Sequence, residues 1–509
     1  MEKKSTLKKS SYNIFSSVLG QIFTIILGVI IPRLYLVNFG SEINGLLNSV
    51  NQIYVYFGLL EAGVGAAALQ ALYKPVAEGD EHSVSRILAV TDKFYRKTGL
   101  IYLAGVVVFS VVYPFAVKSD IPKMTVFAII ILNGIPGVVG YLLQGKYILL
   151  LQAEGKQYIL TNLMTLSTIL VNVARIALVV LGFNIVVVQT AYVTINLLRI
   201  MYIMIYIKRH YKWINLKLDP DTKAISQKNS VLVWQITDMI FRNTDVLILT
   251  FFCDLKVVSV YTMYTMLLSM IVTFLDAFSQ GFTFVLGQTY NTDRAKYVKL
   301  HDVYETYRMT LIFSLYSVAY VFLTPFLKLY TAGVNDISYI DKYLPLLFVL
   351  SRLLSCARVS CADVINYAQH YKLTQNRCIA EATINVVVSV ACVVRFGIYG
   401  VLFGTIAALL YRANDMIIYA NKKILHRSPW ITYKRWIILF AVFAFVVAFS
   451  NRFVNVETDS YLTLILYAVV FTVCICVLYF SVMSIFEYKQ AKEALRIMKI
   501  YLDRIKKRL

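Results

Sequence analysis

Charge is scarce in this chain of 509 residues: Asp, Glu, Lys and Arg make up 15% of it, against 59% hydrophobic residues and a mean hydropathy of +0.67. No water-soluble domain of this size shows that balance, so the sequence specifies an integral membrane protein. Other scarcities exclude chemistry. Cys253, Cys356, Cys361, Cys378, Cys392, Cys474 and Cys476 all lie in or beside apolar runs, with no pair of external loop positions to bridge, which excludes a disulfide framework. His82, His210, His301, His370 and His426 map to cytoplasmic loops or helix ends, which argues against a histidine proton relay within the membrane. No P-loop, paired-cysteine metal site or nucleophile motif occurs, so neither ATP hydrolysis nor covalent chemistry is indicated, and no cofactor or metal is implied. Every expected external loop is about a dozen residues or fewer, too little protein for an enzyme that must hold an acceptor there, which disfavours a membrane glycosyltransferase or ligase.

Hydrophobic runs fill the space that charge leaves. Apolar stretches of about 20 residues or more give about fourteen spans, at 11–37, 43–72, 90–117, 123–145, 157–181, 185–207, 229–252, 257–287, 305–330, 342–366, 374–395, 398–420, 433–450 and 461–486. The expected fold class is therefore all-α and polytopic. The opening MEKKSTLKKSS has the basic flank of a signal peptide, but the run after it exceeds a signal core and no small-residue cleavage site follows; an uncleaved first membrane helix is expected.

The charges present are unbalanced, with a formal net charge of +22. With the N-terminus inside, roughly 35 of the 50 Lys and Arg fall in cytoplasmic segments and about 7 in external ones. That asymmetry reads as the positive-inside rule instead of nucleic-acid binding, and it places both termini in the cytoplasm of a cell inner or plasma membrane. The last segment, EYKQAKEALRIMKIYLDRIKKRL, is a basic amphipathic helix suited to an anionic inner leaflet or, alternatively, to a protein partner.

The chain repeats itself. QYILT at 157–161 recurs as HYKLT at 370–374, and the same offset of 213 places Asn172 on Asn385 and Arg199 on Arg412; at 215, Glu61 falls on Asp276. A near-constant shift over a long stretch implies duplication into two six-span halves of equal orientation, related by an axis along the membrane normal with a site at their interface. The expected division is an N-lobe at 1–207, a basic cytoplasmic linker at 208–228, a C-lobe at 229–425, two further spans within 426–486 and a tail at 487–509.

Within LVWQITDMIFRNTDVLILTFF, 232–252, stand Asp238, Arg242 and Asp245, spaced i, i+4 and i+7 on one helical stripe. Against lipid, three charges would cost roughly 7–10 kcal/mol, so the stripe faces an interior cavity or forms a self-neutralising pair that packs the helix. Arg33, Arg175, Arg199, Arg352, Arg358 and Arg412 join Arg242 inside spans, with no lysine comparably deep. Lysine would serve equally as a charge; guanidinium adds a planar fork that binds phosphate oxygens in pairs and stays protonated when desolvated. A rise of about 1.5 Å per residue puts Arg199 and Arg412 roughly 13 Å above the cytoplasmic ends of their helices, Arg242 and Arg358 near the midplane, and Arg33 and Arg175 in the outer half. Together they read as a ladder for an anion, each with a snorkelling or ion-paired alternative that Arg412, three residues before Asp415, meets most directly.

Glu61 and Asp276 lie mid-membrane, where a carboxylate binds Na⁺ or a proton, or pairs with an arginine. In NGIPGVVGYLLQG, 133–145, Pro136 removes a backbone hydrogen bond and should kink the fourth span, either as a hinge or for close packing. Tyr54, Tyr56, Tyr261 and Tyr264 suit sugar stacking or ordinary packing.

The stretch FGSEINGLLNSVNQIYVYFGLLEAGVGAAA, with Gly40, Gly45, Leu46, Glu61, Gly63 and Ala66, and the two-repeat plan over nearly the whole length, resemble the Wzx-type polysaccharide flippases of the multidrug/oligosaccharidyl-lipid/polysaccharide exporter superfamily. The resemblance implies two bundles around a cationic cavity lined by spans one, two, seven and eight, hence by Arg33, Glu61, Arg242 and Asp276. It implies alternating access, polyisoprenyl diphosphate-linked oligosaccharide as substrate with its lipid tail in the bilayer, Na⁺ or H⁺ coupling, and a monomer. By the same resemblance Arg242 meets the diphosphate while Asp238 and Asp245 orient it. A multidrug exporter, with twelve helices and an acidic cavity, fits the arginines less well; a lipid II flippase, sharing fourteen helices and cavity arginines, stays open.

Overall fold

The computed structural model describes residues 2–61, 64–219 and 229–506. Side chains of residues 2–26, 229–235, 500–506 and a few isolated positions, Asp238 among them, lie outside the described residues, as does the 220–228 part of the expected linker. Among the described residues every regular element is helical: α1 (Glu2–Phe57), α2 (Val64–Glu78), α3 (Glu81–Ala116), α4 (Lys123–Val139), α5 (Gly145–Ala153), α6 (Gln157–Val180), α7 (Ile185–His210), α8 (Asn229–Phe252), α9 (Leu255–Thr292), α10 (Arg294–Tyr330), α11 (Leu344–Ala357), α12 (Val359–Tyr367), α13 (Tyr371–Phe396), α14 (Ile398–Tyr419), α15 (Trp430–Phe453), α16 (Tyr461–Phe486) and α17 (Tyr488–Lys506). Eleven helical stretches among these residues are long and apolar enough to cross a membrane, and they coincide with expected spans three to six and eight to fourteen. The protein is an all-α, multi-pass membrane protein. Its outward surface is apolar; on α16, Leu462, Val470 and Val477 are exposed as lipid-facing residues are.

The first two expected spans join in α1, which breaks at Gly40 (φ 80°, ψ 175°), a conformation that glycine adopts without steric cost. There Asp336 receives both groups of Ser41: its Oδ2 accepts from the amide and its Oδ1 from the hydroxyl, each at 2.7 Å. Beyond Gly40, α1 lies against α8 and the start of α9. A Cβ at Gly45 would overlap the Leu255 carbonyl oxygen, so only glycine permits that approach. Polar contacts fasten the same seam: Asn44 Nδ2 donates to Ser259 Oγ at 2.7 Å, Thr250 Oγ1 to Ser49 Oγ at 2.9 Å, and the Tyr56 and Thr244 hydroxyls meet at 2.6 Å.

By contact the chain forms two compact units. The first comprises Met1–Ser259 with Gly333–Ile337; the second comprises Val260–Ala332 and Ser338–Leu509. The α1 seam accounts for α8 grouping with the first unit, whereas the C-lobe expected from the sequence begins at 229. In the second unit a buried ionic network joins the start of α10 to α15 and to the α16–α17 junction. Glu305 and Arg435, both 0% exposed, pair with each other; Asp302, Arg427, Lys434 and Glu487 complete the set. His301 lies beside it at 1% exposure, its Nε2 3.2 Å from the Ser360 carbonyl, so this histidine is buried within α10, where the sequence suggests a loop or helix end. The reason is length: α10 begins at Arg294, about three turns before the expected span.

Candidate functional site in the first unit

Two interrupted helices build a cleft. Pro136 sits inside α4 without an amide to donate, and four residues later the helix widens into a π-turn, Gly140–Gln144, before resuming as α5. The interruption expected at Pro136 is therefore realised one turn further on, and the combined helix runs to Ala153, well past the expected end at 145. On the other side, α1 tightens into a 3₁₀ turn at Gly58–Glu61 before α2 begins at Val64. With α3 as the wall between them, these breaks bound a cleft of about 490 Å³ lined by Tyr54, Glu61, Tyr95, Tyr102, Pro136, Tyr141 and Gln144 among others.

Glu61 is the cleft's acid. Its Oε1 accepts from the Tyr95 hydroxyl, and the Tyr141 hydroxyl turns to the same carboxylate. Gly65 makes room for this pair: a Cβ there would stand 2.9 Å from Glu61 Oε1 and 3.2 Å from Tyr95 Oη. Gln144 is 8% exposed, and its Oε1 has no hydrogen-bond partner among the described residues. Tyr54 stacks on Tyr102 at 6.1 Å between ring centres and donates to the Ile130 carbonyl at 2.5 Å. The donor set is all oxygen, carboxylate, phenol and amide, which suits a proton or a small hard cation and gives a soft metal nothing to bind.

The arginines divide by unit. In the first, Arg33 is half-buried on α1 and Arg242 is exposed on α8, while Asp245 is 4% exposed; the stripe expected to line one cavity therefore spans a buried and an open face of α8. Arg199 is half-buried with Nη1 3.4 Å from Ser167 Oγ, and Arg175 stands over the Tyr192 and Tyr35 rings at 5.0 and 6.0 Å. In the second unit, Arg358 and Arg412 share Glu381: Arg358 Nη1 reaches Oε1 at 2.5 Å and Arg412 Nε reaches Oε2 at 3.3 Å. Arg412 also donates to Asp415 at 2.6 Å and is 1% exposed, so a ligand reaches it only by opening this cluster, which Arg377 completes through Asp415. Asp276 is exposed on α9.

Sequence reading overlooked three members of these sets. Arg308 falls inside the ninth span, is 2% exposed, and donates to Ser279 Oγ at 2.9 Å and the Cys356 carbonyl at 3.0 Å. Lys146, one residue past the expected span end, is 4% exposed and paired with Asp92, in the helix that resumes after the π-turn. Glu381 lies inside the eleventh span, a carboxylate in an apolar run, which was the available signal.

The described residues thus form a polytopic helical bundle with a carboxylate cleft in its first unit and arginines on several of its helices. The chain resembles the structure of the lipid II flippase MurJ in an inward closed conformation, with a TM-score of 0.64 and 12% identity over 92% of this chain and 99% of that one. It also resembles an inward-facing multidrug resistance MATE family transporter of the MOP superfamily, with a TM-score of 0.53 and 14% identity over 79% of this chain and 94% of that one. At such identities the likeness is one of fold. No protein-family model and no curated protein sequence matches the chain.

Proposed function

We propose that this protein flips polyisoprenyl diphosphate-linked oligosaccharide from the cytoplasmic to the outer leaflet by alternating access, for the assembly of a cell-surface polysaccharide. What supports the reading is guanidinium on three helices of the first unit, Arg33 of α1, Arg199 of α7 and Arg242 of α8, at the different depths expected from their positions along the spans. Arginine forks suit a diphosphate, and a lipid-linked substrate needs the cation held within the bilayer's thickness. Glu61 in its phenol-lined cleft is the group we assign to Na⁺ or H⁺ coupling, with Pro136 and the π-turn as the hinge beside it.

The test uses purified protein in proteoliposomes with a fluorescent polyisoprenyl diphosphate-linked sugar, following how fast the label becomes accessible to an impermeant quencher. Wild-type protein should move the label, and Arg199→Ala/Arg242→Ala should not. Equal movement by the correctly inserted double variant overturns the assignment. The similarity to a lipid II flippase over 92% of the chain favours a second reading, a peptidoglycan-precursor substrate. Rescue of growth in cells depleted of their own lipid II flippase would establish that substrate in place of the oligosaccharide.

A further inference from the structure

The second unit has a cavity that the transport reading leaves unused. Along α17, Ala491, Ala494 and Ile497 follow one another at three-residue steps and are half-buried, while Lys489, Lys492, Arg496 and Lys499 form a stripe on the opposite face and are all exposed. The inward face does not close on α9 and α10. Between the three helices lies a cavity of about 370 Å³, lined by Leu286 of α9, Leu300, Val303 and Arg308 of α10, and Ala494 and Ile497 of α17 among others. Phe282, Val285 and Met498 also line it and are exposed, so it opens on the apolar outward surface, where lipid lies.

Arg308 is the only charged residue among the described lining, and it is buried. Its Nε and Nη1 bond to neutral acceptors, Ser279 Oγ and the Cys356 carbonyl, and Nη2 has no hydrogen-bond partner among the described residues. The neighbouring phenols face elsewhere: Tyr304 donates to Asp363 Oδ2 at 3.5 Å, and the Tyr307 hydroxyl meets Ser484 Oγ at 3.3 Å. Asp363 attracts the guanidinium without pairing with it, so among the described residues no carboxylate closes on Arg308 as Glu305 closes on Arg435. A buried cation with a nitrogen to spare calls for an anion, and apolar walls open to the bilayer call for a hydrocarbon chain attached to it.

We propose that the α9–α10–α17 cavity of the second unit binds one acidic phospholipid, its acyl chain between the helices and its phosphate drawn to Arg308 and to the basic stripe of α17. Charge complementarity selects this occupant: a zwitterionic lipid brings a cation with its phosphate to a place that already has a surplus of them. The lipid then fastens α17 to the bundle. The inference is independent of the transported substrate, and its readout is stability instead of transport.

The experiment is thermal unfolding of the purified full-length protein in uncharged detergent, titrated with phosphatidylglycerol or with phosphatidylcholine of the same acyl chains. Phosphatidylglycerol should raise the Tm by several degrees with saturation, as a ligand bound only to the folded state does, and phosphatidylcholine should not. Arg308→Met removes a buried charge while leaving the surface charge as it is, and it should abolish the response. Ala494→Phe fills the cavity without altering any charge and should abolish it too, which keeps the test decisive if Arg308→Met fails to fold. An equal response to both lipids, or a phosphatidylglycerol response unchanged in Ala494→Phe, overturns the proposal. So does an equal effect of inorganic phosphate, which would reduce the site to an anion site without a chain. Displacement of the phosphatidylglycerol by polyisoprenyl diphosphate-linked sugar would overturn it as well, by making the cavity a place for the substrate's tail.

Discussion

Glu305 of α10 and Arg435 of α15 form an ion pair in which neither side chain is exposed. This contact joins α15 to α10 within the second unit, and Arg435 also holds Asp302 and, at 3.2 Å, the Glu487 carboxylate at the head of α17. Removing one partner of a buried pair leaves the other charged and unmatched, a loss of about 3–5 kcal/mol. Glu305→Ala should therefore lower the unfolding temperature sharply, while Glu305→Met/Arg435→Met, which removes both charges, should recover part of the loss. Melting curves of the two purified variants check this; equal destabilisation by both would locate the cost in packing and not in charge.

Alkaline pH should loosen the first unit at the turn between α5 and α6. Tyr211, just past α7, donates to Glu154 and accepts from Lys156 Nζ at 2.8 Å. Burial first, and then the hydrogen bond to Glu154, push the Tyr211 hydroxyl from 10.0 up to about 12. Lys156 moves the same way, since its bonds to Glu154 and Tyr211 outweigh the opposing effect of burial. In both cases the folded state holds the proton more tightly than the unfolded chain. The stabilisation is thus complete below about pH 10 and is lost as pH rises through the raised folded values. The unfolding temperature should hold level to about pH 10 and then fall, and Tyr211→Phe should fall less steeply relative to its own value at pH 8.

The seam of α1 with the start of α9 makes a steric prediction. Gly45→Ala places a methyl group on the Leu255 carbonyl oxygen, a backbone atom that cannot swing aside. Overpacking of this kind costs about 1–3 kcal/mol, so the variant should be less stable than Gly28→Ala, which meets nothing within 4 Å. Comparing the two unfolding temperatures separates contact from the general effect of replacing a helical glycine.

Sequence alone disclosed what depends on periodicity and near neighbours. Apolar runs located the spans, and the three-residue spacing of Arg412 and Asp415 foretold their pairing, which the structure contains. What it concealed depends on which helices meet. Glu61 was visible as a mid-span acid, yet its partners Tyr95 and Tyr141 come from α3 and the widened end of α4, and no spacing along the chain connects them. Glu381 was hidden for the same reason, because its significance lies in joining Arg358 to Arg412 across helices. Lys146 escaped because a π-turn changes where a helix ends without changing its composition.

Glu61 yields the sharpest functional test. Glu61→Gln keeps the side chain's size and one acceptor for the Tyr95 hydroxyl but removes the negative charge, so the fold should persist while the site no longer binds a cation electrostatically. If the cleft couples an ion to substrate movement, wild-type flipping in proteoliposomes should accelerate under one imposed gradient, Na⁺ or H⁺, and the variant should move label at a slow rate indifferent to either. Gly65→Ala should give an intermediate result, since its Cβ would stand 2.9 Å from Glu61 Oε1 and displace the carboxylate without neutralising it. A Glu61→Gln protein that keeps the full gradient response would assign coupling elsewhere and leave the cleft with a packing role.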